Sequence, residues 1–577
     1  MDERIDPIEF ELIQNALISI VDDMALTIVR TAYSNVVRDN MDFSTALCDR
    51  SGNLIAQGLT IPLHLGSVPD AMAALLREFG NDIAAGDIWI MNDPFSGGMH
   101  LPDVFIVKPI VSPGGELCGF AVTIAHHTDV GGRVAGGNAS DSTEIYQEGV
   151  RIPPLRLYRR GVPNETFFTL FLTNVRVPDK VMGDLRAQLS ACHIAERRLL
   201  ELVAQYGGTQ LDAYFTELLD YAERMVRAEI SRMPDGSYAF TDYIDNDGIN
   251  PESIAIAVTL TITGDTIHVD FTGTSPQVKG AINSTFSVTK SMAYAAIRCV
   301  LPAEIPNNAG IFRPISVAAP AGTVVHAVLP AAVAARGLTA FRMGDALMGA
   351  LAQALPERIF AAGEGGNSGI SIGGYDRQRR PFIYVEFVCG CWGARAGKDG
   401  IDGITNVFSD LSNNPVEMIE ASYPLRIEAY ELIPDSGGAG RFRGGMGIRK
   451  RLIFLEEEAV LQVRSDRMDH RPYGLNGGEP GAPTRNLLLR DDVERAMPSK
   501  FTEWIGRGDT FDHFQAGGGG FGNPFERDPQ AVLVDVRDGL VSLECARSDY
   551  GVAIDIEHVA VDLAETGRLR TVPQRYR

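Results

Sequence analysis

Histidine and aspartate side chains gather in one short part of this sequence. Four of its ten histidines lie between His64 and His127, and three of them stand close to aspartates in the motifs HLPD and HHTD. Imidazole nitrogens and carboxylate oxygens together bind zinc, manganese or ferrous iron, and an open coordination position leaves room for water or substrate. Clustering alone is weak evidence for a metal site, because buried polar networks use the same residue types.

A predicted β-hairpin brings the two motifs together. The runs VFIVKPIV and LCGFAVTIAHH are rich in β-branched and aromatic residues. Between them, Pro113-Gly114-Gly115-Glu116 is typical of a hairpin with a two-residue Gly-Gly loop. If those glycines form the centre of the loop, Asp103 lies opposite His126 and His100 falls near Asp129. Two His/Asp pairs that are distant in sequence then converge at one end of the hairpin.

Side-chain alternation along the strand separates the two adjacent histidines. His126 and His127 point to opposite faces of the sheet, and the expected register puts His126 on the same side as Asp103. We therefore predict that His126 is a metal ligand and that His127 orients the ligands or carries a proton. A bulge in the hairpin would exchange these roles. The alternative is a buried polar network of the same residues without a metal.

Two glutamates follow the hairpin in the segment STEIYQEGVRIPP. Glu144 and Glu148 are candidates for a general acid or base close to the metal, with Glu144 preferred. A solvated or structural role is the alternative for both.

Long helices are predicted on both sides of the histidine cluster. Apolar residues at helical spacing predict a helix from Ile8 to about Val37, and the segment after it has the pattern strand, turn, strand, with Arg50-Ser51-Gly52-Asn53 as the turn. Further helices are predicted for Val68 to Phe79 and within Asp179 to Ile230. These helices flank a β-rich block from Asp87 to about Val130, which carries the polar residues.

The whole chain is predicted to be a multidomain protein of mixed α/β (α+β) class, because 577 residues are too many for one hydrophobic core. We expect a helix-flanked N-terminal metal domain with β-hairpins at 1–235, a middle α/β region at 236–410, and a β-rich C-terminal region with Gly-rich turns at 411–577. In the middle region, strands are predicted in IAIAVTLTITGDTIHVDFTG and helices near Thr289 to Val300 and Leu338 to Leu355.

Charge and hydropathy exclude some function classes. A formal net charge of −22 would repel a phosphate backbone, so nucleic acid is not expected as a partner. The N-terminus is acidic where a signal peptide is basic, and charged residues interrupt the apolar runs, so we expect a cytoplasmic protein without a membrane span. Seven cysteines without framework spacing indicate reduced thiols, and Cys389 and Cys391 are predicted to be buried strand residues.

Three familiar motifs carry little weight here. Residues 517–522 match GxGxxG, but Asn523-Pro524 follows where a dinucleotide-binding helix would begin, so a glycine turn is expected. The sequence contains no GxxxxGK[ST] phosphate loop, which indicates that any ATP is bound by another chain. It also has no GxSxG elbow beside the histidines, which disfavours a serine hydrolase.

Six longer motifs lie along the chain in a fixed order: NDPFSGGMHLPD, IAHHTDVGG, EIYQEGVRIPP, NNPVEMIEASYPLRIEAYEL, DSGGAGRFRGGMGIRK and GGGGFGNPFERDP. Together they resemble the successive signatures of the hydantoinase B/oxoprolinase family. They run from near residue 40 to about residue 530. The resemblance therefore covers nearly the whole chain.

The resemblance implies an enzyme that works in two parts. Members of the family act with a hydantoinase A-type, ATP-binding partner, which phosphorylates a carbonyl oxygen of a small cyclic amide such as hydantoin, N-methylhydantoin or 5-oxoproline. The metal-bearing chain then opens the ring with water activated by a divalent ion, which is zinc, manganese or iron. A heteromeric complex, a heterotetramer or larger, is expected.

The resemblance also implies a set of site residues. By motif, Asp42, His100, Asp103 and His126 would be the metal ligands, and His127 and Asp129 would form the surrounding shell. Asp42 enters only in this way, because an aspartate in a DFS turn is more often a cap or turn residue.

Two alternatives to the ring-opening hydrolase remain at this point. Acetone and acetophenone carboxylases resemble the same family and join bicarbonate-derived carbon dioxide to an enol phosphate. A non-catalytic assembly partner of the ATP-binding chain is the other alternative. The converging His/Asp set disfavours the second.

Overall fold

Helices and sheets alternate along the whole chain. The computed structural model describes residues 5–58 and 61–571. Within those ranges the strands form sheets of seven, four, four, five and two strands, with helices packed between and around them. The predicted mixed α/β class is confirmed.

The first part of the chain contains seven helices and a seven-stranded sheet. The helices are α1 (Pro7–Thr31), α2 (Asn35–Arg38), α3 (Pro62–Leu65), α4 (Val68–Phe79), α5 (Glu165–Thr173), α6 (Pro178–Tyr206) and α7 (Gly208–Ile230). The strands are β1 (Phe43–Cys48), β2 (Leu54–Gln57), β3 (Ile88–Met91), β4 (Asp103–Val111), β5 (Leu117–His126), β6 (Leu155–Arg159) and β7 (Val162–Pro163). They lie side by side in the order β2-β1-β5-β4-β3-β6-β7. The predicted helices at 68–79 and within 179–230 are confirmed.

The first helix is shorter than predicted, and a carboxylate explains where it ends. Asp6 caps α1 by accepting hydrogen bonds from the first-turn amides, and Pro7 stands at the first helical position. Beyond Thr31 the backbone amides of Tyr33 and Ser34 donate to Asp184 on α6, at 2.8 and 3.0 Å. These bonds hold the chain outside helical geometry before α2 begins.

By length and composition alone, α1 could cross a membrane; its most apolar window of 18 residues has a mean hydropathy of 1.5. It is the one helix in the described part of the chain with this property. Core helices of globular proteins pass the same test. One face of α1 is buried, and its fully buried side chains include Ile13, Val21, Met24 and Ile28.

The hairpin of β4 and β5 has the predicted register but not the predicted loop. Asp103 pairs with His126, as expected, and the register continues without a shift to Ile110 opposite Gly119. The loop has three residues between Ser112 and Glu116, whose backbones are hydrogen-bonded. A bulge at Cys118 adds one residue to β5 and restores the pairing. Because the bulge lies at the loop end, it leaves His126 on the face of Asp103.

The middle of the chain is built from four strands and two helices. The strands β8 (Gly236–Ile244), β9 (Ile254–Thr263), β10 (Thr266–Asp270) and β11 (Ile315–Ala318) form one sheet, and the helices are α8 (Phe286–Arg298) and α9 (Arg336–Ala354). Nearly every side chain of α9 is buried. Both helices predicted for this region are confirmed.

Three further sheets and short helices complete the fold. The strands are β12 (Ser368–Tyr375), β13 (Pro381–Val388), β14 (Leu425–Leu432), β15 (Ile448–Phe454), β16 (Glu458–Arg464), β17 (Arg485–Arg490), β18 (Val493–Met497), β19 (Lys500–Gly506) and β20 (Thr510–Phe514). The helices are α10 (Val416–Ser422), α11 (Pro529–Arg537), α12 (Leu543–Ser548) and α13 (Leu563–Thr571), and β21 (Ile554–Asp555) pairs with β22 (Ala560–Val561). The helices after residue 528 were not predicted.

The glycine-rich motifs pack backbone against backbone. The amide of Gly438 donates to the carbonyl of Gly518 at 2.8 Å, and a Cβ on Gly444 would overlap that same carbonyl. No helix begins at residues 517–522, so the GxGxxG match is not a dinucleotide-binding turn; a bend occurs only at Gly522. Cys389 and Cys391 are buried free thiols just beyond the end of β13.

Clusters of buried apolar side chains continue across residues 235 and 410. One cluster joins α4, the first sheet and α7 to β8, β9, α8 and α9. Another joins β12 and β13 to β15, β16 and β20. The segments on the two sides of each predicted domain boundary therefore share a core.

Candidate metal centre

The open end of the β4–β5 hairpin holds a compact group of buried ligand-type side chains. Asp103 begins β4 and is 0% exposed, and His126 ends β5 and is 2% exposed. The rings of His100 and His126 lie 5.1 Å apart between centroids. Ligand atoms of His100, Asp103 and His126 all lie within 4.8 Å of one another, and a second group of this kind comprises Asp42, His64 and Asp103.

The contact between His100 and Asp103 has the geometry of two metal ligands. The Nδ1 atom of His100 lies 2.8 Å from the carbonyl oxygen of Ala334, so it carries the ring proton and donates it. In the neutral imidazole, Nε2 then has a free lone pair, and it faces Oδ1 of Asp103 at 3.1 Å. Neither atom has a hydrogen-bond partner. Two buried lone pairs at this distance repel each other unless a cation lies close to both, so the donor set fits a metal ion.

Asp42 joins this group through the backbone of the neighbouring strand. Its carbonyl oxygen accepts the amide of His126 at 3.0 Å, which continues the pairing of β1 with β5. The residue before it, Met41, has a positive φ of 60°. A non-glycine residue in this region is strained, and such strain is held only where the surroundings fix the backbone. The bend at Met41 lies immediately before the buried Asp42 carboxylate.

His64 was not assigned to the site from the sequence. It lies in α3, its Nδ1 is 2.9 Å from the hydroxyl of Ser44, and its Nε2 is 3.7 Å from Oδ2 of Asp103. The available signal was its membership of the group of four histidines. Its position far from both motifs in sequence gave no indication that α3 returns to the hairpin.

Arg336 is a second residue that sequence reasoning missed. Its guanidinium forms a buried ion pair with Oδ2 of Asp103 at the start of α9. In the sequence it appeared only as an interruption of an apolar run. A charged residue inside such a run must find a buried partner. This requirement was the signal in the sequence from which Arg336 could have been assigned to a site.

The loop before Arg336 is held by Glu148. One carboxylate oxygen of Glu148 accepts the amides of Val333 and Ala334 at 2.8 and 2.9 Å. The carbonyl oxygen of Ala334 in turn accepts a hydrogen bond from Nδ1 of His100. Glu148 therefore fixes the carbonyl group that orients His100. Burial raises the pKa of Glu148 well above its usual range.

Burial and the neighbouring charges set the protonation of the cluster. Burial is the main cause that lowers the pKa values of His64, His100 and His126, that of His64 to about 4, so all three rings are neutral near pH 7. Burial also opposes ionisation of Asp103. Its pKa nevertheless lies well below the usual range, because His100 and His64, which are protonated at the low pH where Asp103 titrates, and Arg336 all favour the carboxylate. Burial and the nearby Asp103 raise the pKa of Asp42. Neutral imidazoles beside an ionised carboxylate are the forms that bind metal.

A cavity of about 70 Å³ opens beside these side chains. Its lining comes from all three predicted regions of the chain and includes Asp42, His64, His100, His126, Asn138, Arg336, Phe341, Asn367, Phe387, Leu411 and Arg464. Asn138 lies 3.3 Å from Nε2 of His126, and the ring of Phe387 meets the ring of His126 edge to face at 5.4 Å. Its wall is largely apolar, as is usual in sites for small organic molecules.

Three predicted catalytic residues lie away from this cavity. His127 faces α6, where its Nε2 is 2.9 Å from the side-chain oxygen of Gln188. Asp129 is bound by the backbone and side chain of Arg176 and by the amide of Gly131, and it is not among the residues that line the cavity. Glu144 is exposed, whereas Glu148 is buried. Side chains alternate between the two faces of the sheet at the end of β5, so His127 lies on the face opposite His126.

The sequence profile of the hydantoinase B/oxoprolinase family matches residues 6–524. The chain belongs to this family. Among its relatives, the B subunit of a putative D-/L-hydantoinase from Pseudomonas sp. (strain NS671) is 34% identical over 590 residues, with 99% of each chain covered. The beta subunit of caprolactamase from Pseudomonas jessenii is 37% identical over 570 residues, which are 96% of this chain and 97% of that one.

Solved structures agree with membership of the hydantoinase B/oxoprolinase family. The crystal structure of ATP-dependent caprolactamase from Pseudomonas jessenii matches with a TM-score of 0.92 and 34% identity, and covers 98% of this chain and 100% of that one. A nucleotide-free acetone carboxylase structure also gives a TM-score of 0.92, with 20% identity, and covers 98% and 82%. At 20% identity the second match shows only that the fold is shared.

Proposed function

We propose that this chain is the metal-dependent component of an ATP-dependent cyclic amide hydrolase of the hydantoinase/oxoprolinase type. Its substrate is a lactam or hydantoin whose carbonyl oxygen has been phosphorylated by an A-type, ATP-binding partner in a heteromeric complex, a heterotetramer or larger. The observation that carries the proposal is the pair of facing lone pairs of His100 and Asp103 at the edge of a largely apolar cavity.

Division of the reaction between two chains is supported by chemistry and by the relatives. An unstrained cyclic amide is a poor electrophile, and phosphorylation turns its oxygen into a good leaving group. The sequence has no GxxxxGK[ST] loop, so ATP is assigned to the partner. The hydantoinase and caprolactamase relatives are each named as one subunit of their enzyme, and the caprolactamase structure is described as ATP-dependent.

The residues around the cavity have distinct roles in this proposal. Asp42, His64, His100, Asp103 and His126 hold the ion, which is zinc, manganese or iron. A divalent ion held there supplies Lewis acidity, which lowers the pKa of water towards about 7 and stabilises negative charge on oxygen. Arg336 keeps Asp103 ionised, and Ala334 fixes the tautomer of His100. Phe341 and Phe387 give the ring an apolar wall.

Ring opening in this cavity requires a balanced set of bond changes. A water oxygen bonds to the carbon that bears the phosphorylated oxygen, and the bond from that carbon to the ring nitrogen breaks. Phosphorylation leaves a C=N bond at that carbon, so the nitrogen takes up both protons of the water and becomes an amine, and the carbon is left in an acyl phosphate. A second water releases the phosphoryl group as inorganic phosphate, which leaves a carboxylate.

Elemental analysis of two neighbouring variants tests the metal centre. We expect about one divalent ion per purified wild-type chain, as structural and catalytic sites of this donor type hold. His126→Gln should lose the ion, whereas His127→Gln should keep it, because His127 faces α6 on the other side of the sheet. The adjacent histidines thus provide a matched control, with circular dichroism to verify that both variants fold.

The same variants test the reaction once the A-type chain has been added. ATP-dependent ring opening of 5-oxoproline, hydantoin or caprolactam should fail in His126→Gln and persist in His127→Gln. Metal absent from the wild type after incubation with each ion would contradict the proposal and leave a polar network with an assembly role. Incorporation of labelled bicarbonate into product would replace the hydrolase with a carboxylase.

A further inference from the structure

Arg464 is a buried cation that has no anion. It ends β16, is 3% exposed, and lines the cavity on the side of Asn138 and Phe387. One of its terminal nitrogens donates to the carbonyl oxygen of Asn138 at 2.7 Å and to the hydroxyl of Ser371 at 3.3 Å. Its other terminal nitrogen, Nη2, is buried without a partner.

No carboxylate in the described part of the chain pairs with Arg464. The contrast with its neighbours is clear, because buried Arg336 is paired with Asp103 and buried Arg467 with Asp242 and Asp345. Burial lowers the pKa of Arg464 to about 9, and no neighbouring charge offsets that effect. An unpaired buried guanidinium is costly, so proteins keep one where a ligand supplies the missing charge.

The backbone around Arg464 is shaped to hold the guanidinium in place. A Cβ on Gly369 would overlap Nη2 of Arg464 and lie 2.7 Å from its Nε, so only glycine at that position lets the group lie against β12. The ring of Phe387 lies on another side, 5.8 Å from the guanidinium carbon. Nη2 therefore packs against β12 on one side, and it is the terminal nitrogen of Arg464 that has no hydrogen-bond acceptor.

Asn138 links Arg464 to the proposed metal centre. Its backbone oxygen accepts from Arg464, and its side chain lies 3.3 Å from Nε2 of His126. Arg464 and the proposed ligand His126 therefore contact the same residue, Asn138, and a group bound by Arg464 would lie near the proposed metal centre. In the reaction proposed above, the part of the substrate that must lie beside the reacting carbon and carries negative charge is the phosphoryl group.

We infer that Arg464 is the receptor for an oxyanion of the substrate, namely the phosphoryl group on the activated carbonyl oxygen. The inference rests on the proposed function for the identity of the anion. Arginine suits this role because its guanidinium donates charge-assisted hydrogen bonds, which phosphate oxygens accept strongly. With Arg464 holding the phosphoryl group, the carbon that bears it is directed towards the side of the cavity where His126 and His100 lie.

Binding of inorganic phosphate to the full-length, metal-loaded chain tests the inference. The dissociation constant is measured by calorimetry for the wild type, Arg464→Met and Arg464→Lys, with potassium chloride at equal ionic strength as the blank and acetate as a carboxylate probe. Arg133→Met is the matched control, because Arg133 is a partly exposed arginine paired with Asp141. Metal content is measured on every sample.

We expect phosphate to bind the wild type and Arg133→Met equally, and to bind Arg464→Met at least tenfold more weakly. The phosphate affinity of Arg464→Lys should lie between those of the wild type and Arg464→Met, since an ammonium keeps the positive charge but lacks the planar guanidinium. Without phosphate, the thermal midpoint of Arg464→Met should equal or exceed that of the wild type, because an unpaired buried charge has been removed. A purely structural arginine would give a lower midpoint.

Several results would overturn the inference. Equal phosphate affinity in the wild type and Arg464→Met would remove Arg464 from the anion site, and so would failure of the wild type to bind phosphate. Binding of acetate but not phosphate would make the ligand a carboxylate and contradict the phosphoryl assignment. If phosphate binding depends on Arg464 but no sample holds metal, the proposed function fails and the anion site stands.

Discussion

At the scale of single residues, the candidate site consists of ligands and of the groups that orient them. His100 is useful as a ligand only when its proton is on Nδ1, and the carbonyl of Ala334 enforces that tautomer. Glu148 acts one step further away, through two amide hydrogen bonds to the loop that carries this carbonyl. An experiment can therefore distinguish this positioning role of Glu148 from a role as a general acid or base.

Variants of Glu148 should distinguish positioning from proton transfer. Glu148→Gln keeps an oxygen that can accept the amides of Val333 and Ala334, so metal affinity should stay near that of the wild type. Glu148→Ala frees the loop, and affinity should fall by about 10- to 100-fold, as is usual when an orienting partner is lost. Chelator competition measures both. An equal loss in the two variants would mean that the carboxyl group itself is needed.

His513 gives a pH dependence that is independent of the site. It is fully buried in β20, and burial lowers its pKa from 6.5 to about 4. In the unfolded chain it binds a proton near pH 6.5, whereas in the folded chain it stays neutral. Stability is therefore complete above pH 6.5 and falls as the pH drops towards 4, by about 2 kcal/mol between pH 7 and pH 5.

Replacing His513 should remove that part of the acid sensitivity. Asparagine can keep the hydrogen bond that Nδ1 of His513 makes to Asn486 at 2.7 Å. Urea unfolding at pH 7 and pH 5 should show a smaller loss for His513→Asn than for the wild type. His268→Asn, an exposed histidine on β10, should behave like the wild type. Equal losses in all three proteins would show that His513 titrates normally in the fold.

At the scale of elements, local patterns predicted the hairpin but not what packs against it. Alternation and the loop glycines placed Asp103 opposite His126, and the unforeseen bulge at Cys118 compensated for the longer loop. The contributions of α3 and α9 depend on contacts between segments far apart in sequence. No periodicity within either helix indicates that His64 or Arg336 reaches Asp103.

The position of α9 depends on a glycine that allows close packing. A Cβ on Gly344 would overlap the ring of Phe408, which is 0% exposed. Gly344→Ala should therefore cost about 1–3 kcal/mol, although alanine favours a helix. Gly567 lies in α13 with open space at its Cβ, so Gly567→Ala should gain up to about 1 kcal/mol. Denaturant midpoints for the two variants give the comparison. A gain in both would show that α9 has room to move.

At the scale of the whole molecule, the cavity exists only where distant parts of the chain meet. Asp42 and His100 come from the first sheet and its loops, Phe341 from α9, and Arg464 from the end of β16. The sequence motifs identified the family and most of the proposed ligands, since these lie on one hairpin and the strand beside it. The remaining walls could not be predicted, because burial at that junction leaves no local periodic signal.

Shared packing across residue 235 predicts how a divided chain behaves. Ala222, Val226 and Ile230 on α7 are 0% exposed and belong to the cluster that includes Ile256 and Leu260. A fragment of residues 1–235 would expose these side chains, at about 1.5–3 kcal/mol for each large one. We therefore expect it to lack a cooperative thermal transition and to bind no metal.

Co-expression with residues 236–577 should restore both properties, because the fragment then regains its packing partners and Arg336 regains its place beside Asp103. Calorimetry and elemental analysis of the fragment and of the reassembled pair provide the measurements. Cooperative melting of 1–235 alone would mean that the first sheet and its helices form a self-sufficient core. Metal bound by that fragment would further mean that the hairpin, α3 and β1 hold the ion without α9.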